Sequence, residues 1–222
     1  MRQLIYKDLF FFRVTWLVNL IMPLVLFMLD PSVELLFSMS CLFITLSSVM
    51  TLTFMDERNK SDIIINSLPV SRKDIIIARY ISCAIFIVGG MLSTMLVVFL
   101  IRGIAVIGDI GVYHPNLYIE IPWYEVINGA VYAMFFVVIF FPSYYVTRSK
   151  IARSIVSGAS MAVGGIAWIF IGDGLNATTP SFIEWIMNPM HIALFIVGGI
   201  IVASVYIISM FLTIKIYEAR DL

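Results

Sequence analysis

Nine charged side chains crowd into the 24 positions from Asp56 to Arg79: Asp56, Glu57, Arg58, Lys60, Asp62, Arg72, Lys73, Asp74 and Arg79. The chain on either side is strongly apolar. One charge at the centre of a membrane helix costs about 2.5 kcal/mol or more on insertion scales, so this segment must protrude on one side. Its chemistry there is contact with something soluble. Catalysis fits poorly, because the chain has no GxxxxGK(S/T) phosphate loop, no HExxH, no Cys-x-x-Cys and no GxSxG elbow. His114 and His191 lack the neighbouring ligands that a zinc site needs, and no metal site is expected. Cys41 and Cys83 both fall in apolar stretches and read as small core residues.

Membrane helices must position these residues. The 222 residues are 61% hydrophobic and 13% charged, with a mean hydropathy of +1.02; soluble domains carry roughly 25% charge. At about 20 residues per crossing the length allows roughly six spans and no soluble catalytic domain. The fold class expected is all-α: one polytopic transmembrane domain over residues 1–222, with spans at 14–29, 35–55, 75–101, 124–145, 154–171 and 191–214. Residues 1–13 mix Leu4, Ile5, Leu9 and Phe10 with Arg2, Lys7, Asp8 and Arg13. They read either as a helix lying in the interface or as a tail running straight into the first span. The absence of a small-residue cleavage site makes this a retained segment.

Within residues 56–74, a short amphipathic helix over 59–68 is expected to end at Leu68-Pro69, since proline disfavours the helical region for the residue before it. Ser71, three residues before Asp74, fits a capping box that starts the third span. Two longer loops follow, 102–122 and 173–190; both carry interfacial aromatics, and Ser181 with Glu184 repeats the capping pattern.

Placing both termini in the cytoplasm puts every basic residue except Arg102 on the inner side, as the positive-inside rule demands. Residues 56–74 are then cytoplasmic and the two longer loops extracellular. Gly89-Gly90, Gly164-Gly165 and Gly198-Gly199 fall mid-span, and Ser154, Gly158 and Ala162 make a small-residue stripe. Ordinary close packing and a gating role are both open for them. Asn19 and Asn128 read as hydrogen-bonding glue between helices or as the lining of a polar path.

The run Asp56-Glu57, then Ser67-Leu68-Pro69-Val70-Ser71-Arg72, then Arg79-Tyr80 resembles the small bacterial permease subunits of type 2 ABC exporters, the ABC-2 family. The specific motif covers about 25 residues; the topology covers nearly the whole chain. The resemblance implies a multi-pass subunit of the bacterial cytoplasmic membrane that pairs with a second copy or a sister permease. It would not be catalytic itself and would bind no cofactor, ATP and magnesium belonging to a separately encoded ABC ATPase. The segment 56–74 would be the coupling element, with Asp56, Glu57, Arg58, Ser67, Leu68, Pro69, Arg72 and Lys73 as docking residues. The substrate classes implied are amphipathic or antimicrobial peptides, including those like phenol-soluble modulins, and lipids or hydrophobic drugs. Nucleic acid is not among the expected partners. A non-transporting immunity or sensor module that binds a peptide or partner protein is the rival reading, and an intramembrane lipid enzyme a third. A neighbouring gene for a soluble ATPase separates the first from the others.

Overall fold

A computed structural model describes residues 2–29, 36–59, 71–107, 123–147, 149, 152–153, 155–156, 158–159 and 192–219. All regular structure among the described residues is helical, as the all-α expectation requires. Five long helices carry it: α1 (Arg2–Leu29), α2 (Leu36–Arg58), α3 (Arg72–Ile107), α4 (Trp123–Val146) and α5 (Ile192–Glu218). Four of them hold a stretch long and apolar enough to cross a membrane: Met39–Arg58, Arg72–Ala105, Gly129–Val146 and Val197–Glu218. In α1 the apolar stretch is shorter, Asn19–Met28. Most of the fifth expected span, 154–171, lies outside the described residues.

Of the two readings of residues 1–13, the structure shows no separate interfacial helix, since α1 is continuous from Arg2 to Leu29. Lys7 and Asp8 are drawn into contact with other helices. The third helix runs to Ile107 and not to 101, so the first six residues of the expected loop 102–122 are helical. At 36 residues, α3 is about 54 Å long, well beyond a hydrocarbon core of about 30 Å, so it tilts or projects from it. The last helix takes in the first half of the charged tail expected over 215–222, reaching Glu218, with Ala219 N–H bonded to Lys215 O at 3.1 Å.

Several hydroxyl residues in these apolar helices bond their own backbone. Thr53 donates to Val49 O, Ser82 to Ala78 O, Thr94 to Gly90 O and Thr213 to Ser209 O, all within 3.0 Å. Away from water every polar group needs such a partner.

The chain divides into two compact units, Met1–Ala133 and Met134–Leu222. In the first, α1, α2 and α3 pack on one another pairwise. One end of that bundle is an apolar core of Phe27, Leu36, Phe37, Val98 and Val126. In the second, Phe136, Phe140 and Tyr144 stack at four-residue spacing along α4, with centroids 5.4 and 5.5 Å apart. Tyr145 meets Tyr217 of α5 edge-on at 5.2 Å, and Ser209 donates to Val138 O at 2.9 Å. Arg153 places its guanidinium 5.1 Å from the Tyr144 ring centroid and donates from Nε to Thr147 O.

Candidate functional site

The charged segment is framed by the end of α2 and the start of α3. Asp74 N–H donates to Ser71 Oγ at 3.1 Å, and Ile75 N–H to Ser71 O at 3.3 Å, so Ser71 is the N-cap that its sequence pattern suggested. On the other side Asn59 N–H still bonds Met55 O at 3.0 Å, which carries α2's pattern one residue beyond Arg58. Arg58 and Lys73 are exposed, whereas Glu57 and Arg72 are half-buried. Asp56 is turned inward and is 5% exposed. Ser67, Leu68 and Pro69, and the short helix expected over 59–68, lie outside the described residues except for Asn59.

Asp56 points into a cluster of four charges, one that sequence reasoning did not assemble. Arg79 sits two turns into α3 and is 6% exposed. Its Nη1 lies 3.1 Å from Asp8 Oδ1 of α1, and its Nη2 against Asp56 Oδ2 of α2. Lys7, next to Asp8 on α1, reaches Asp56 Oδ1 at 2.9 Å and Asp8 Oδ1 at 3.6 Å. Asp8 is 2% exposed, while the Lys7 side chain keeps about a third of its surface, 32%.

Two cations and two anions make the group neutral, which is the condition for burying charge where water is scarce. The planar fork of Arg79 serves two carboxylates on two different helices at once, a task for which an ammonium is poorly shaped. Each pair of helices is joined: α1 to α2 by Lys7–Asp56, α1 to α3 by Asp8–Arg79, and α2 to α3 by Asp56–Arg79. Such an arrangement fixes register and holds helix ends together. Removing one member of a buried pair costs about 3–5 kcal/mol, because the charge left behind is uncompensated.

Further along the same bundle, the Thr15 and Ser48 hydroxyls lie 3.5 Å apart. Neither Nδ2 nor Oδ1 of the buried Asn19 has a hydrogen-bond partner among the described residues. Of the glycines singled out by sequence, Gly90 is packed, with an added Cβ meeting Ile44 Cγ2 at 3.3 Å. Gly89 is half-buried. Added methyl groups at Gly158, Gly198 and Gly199 would meet nothing within 4 Å, and Gly164 and Gly165 lie outside the described residues. The tightest glycine is Gly129 of α4, where a Cβ would stand 2.7 Å from the Phe37 carbonyl oxygen. A lone glycine beside Asn128 gave no sequence signal of this; only the helix register reveals it. Among the described residues no group of three or more His, Cys, Asp or Glu side chains could hold a metal ion.

Compared with known protein families, residues 3–218 match the model described as ABC-2 family transporter protein. Searches of curated proteins and of solved structures returned no match.

Proposed function

The chain belongs to the ABC-2 transporter family, and is thus a multi-pass membrane permease component of an ABC system with an ATPase partner; on that premise we propose that it works as an exporter subunit, docked on the ATPase through residues 56–74. The ATPase is separately encoded and holds the ATP and magnesium. The permease has six spans in the bacterial cytoplasmic membrane with both termini on the cytoplasmic side, and pairs with a second copy or a sister permease. Amphipathic peptides or hydrophobic compounds are the cargo, consistent with apolar spans and an acidic outer face.

The observation that carries this reading is the construction at the two ends of the 60–70 segment. α2 enters it and α3 leaves it from a side-chain cap, and Asp56 and Arg79 tie the two helices together. Helix ends held this way pass a push from a soluble partner on into the helices as a displacement. Exposed Arg58 and Lys73 present charge toward a partner. The role of Asp56 is to brace the element from within.

Co-purification tests the reading. The tagged chain is extracted from its native membranes in mild detergent, and what it retains is identified by mass spectrometry. A soluble ATPase in stoichiometric amount is expected, and its loss when Leu68→Glu and Pro69→Glu are introduced together, with insertion unchanged. Equal recovery with the double variant would remove the docking assignment.

A further inference from the structure

On the exporter reading, the moving parts named so far are α2 and α3. The charge cluster brings in a third. We infer that α1 is the helix that receives the ATPase-driven displacement, with Asp8 and Arg79 as positioning residues that lock it to the two helices flanking the docking segment.

The inference stands on the closed triangle of contacts. Asp56 lies two residues from the end of α2, and Arg79 seven residues from the start of α3, so both sit at the roots of the docking segment. Lys7 and Asp8 are sequence neighbours on a single turn of α1, and they face those two roots together. If α2 and α3 moved without α1, Asp8 would lose Arg79 and Lys7 would lose Asp56. Arg79 would keep Asp56 alone, and Asp8, 2% exposed, would be left with only Lys7 at 3.6 Å. Carrying α1 along keeps every pair. Because α1 is one unbroken helix from Arg2 to Leu29, a shift at Asp8 travels along its length toward Asn19 and Phe27 in the middle and far end of the bundle.

Asp8 is outside the docking set, so its loss should leave ATPase binding intact and break the transmission. The test uses the complex of the chain with its co-purifying ATPase, in lipid nanodiscs. Spin labels go on Tyr6→Cys, which is 74% exposed on α1, and on Lys215→Cys, exposed on α5. The native Cys41 and Cys83 are buried, which shields them from labelling. The distance between the labels is measured without nucleotide and after trapping with ATP and vanadate.

The intact chain is expected to show a nucleotide-dependent shift in distance. Asp8→Asn should reduce that shift at least twofold while retaining the ATPase in equal amount, and Asp8→Glu, which keeps the charge, should restore it. If Asp8→Asn does not accumulate in the membrane, Arg79→Lys takes its place under the same criteria, since it keeps the charge and gives up the two-pronged pairing. An equal shift in the variant and the intact chain overturns the inference, and so does the absence of any shift in an intact complex that holds its ATPase. Failure of the intact chain to retain an ATPase overturns the exporter reading itself, and this inference with it.

Discussion

Gly129→Ala adds one methyl group at the place where α4 comes closest to α2. The new Cβ would lie 2.7 Å from Phe37 O, 3.1 Å from Phe37 C and 3.2 Å from Cys41 Cβ, whereas ordinary contact begins at 3.4 Å. The nearest atoms belong to a helix backbone, so no side-chain rotation relieves them. One helix must move by about 0.7 Å, the difference between 3.4 and 2.7 Å. Overpacking of this kind costs about 1–3 kcal/mol, or about 5- to 140-fold in the folding equilibrium. Alanine's better helix propensity, worth up to about 1 kcal/mol, works the other way. Gly103→Ala isolates that second effect, because nothing lies within 4 Å of its added Cβ. The assay is unfolding of the purified protein in mixed micelles with rising SDS, followed by helical circular dichroism. Gly129→Ala should fall below Gly103→Ala by about 1–3 kcal/mol. Equal midpoints for the two variants would falsify the claim that α4 packs on the Phe37 backbone.

Two further outcomes are expected. Asn19→Leu should stabilise the protein by about 1 kcal/mol in the same SDS titration, because it removes buried polar atoms that have no partner among the described residues; a loss of stability matching Asn19→Ala would show that the amide is paired. Ser71→Ala removes the cap of α3 at a cost of about 1 kcal/mol, so hydrogen exchange at the Asp74 amide should speed up about 5-fold while that of Ala78, deeper in the helix, stays unchanged.

The apolar runs made the helices legible, since a stretch such as 75–101 has no other stable home, and the cap at Ser71 was readable because its donor is three residues away. The charge cluster was not. Lys7 and Asp56 are 49 positions apart, and Asp8 and Arg79 71 apart, so their meeting depends on the relative register of three helices, which local pattern does not encode. A signal did exist: Arg79 falls inside an apolar span, and a guanidinium there requires an acid at equal depth on a neighbouring helix. The two readings of residues 1–13 stayed open for the same reason: charges near a helix end look like solvent contacts until their partners are known, and Lys7 and Asp8 lie on the inner face of a continuous helix.

The order in which the cluster's members are synthesised gives it a role in the making of the protein. Asp8 precedes Arg79 by 71 residues, an interval of about 4 to 14 s at the usual pace of translation of about 5–20 residues per second. Asp56 is made 23 residues before Arg79, and over that last part of the interval Lys7 is the only cation of the cluster set against two acids. Neutrality arrives with α3. Until Arg79 is made, one of the two acids has no cation of its own, so the cluster is complete in charge only when α1, α2 and the first two turns of α3 are all present.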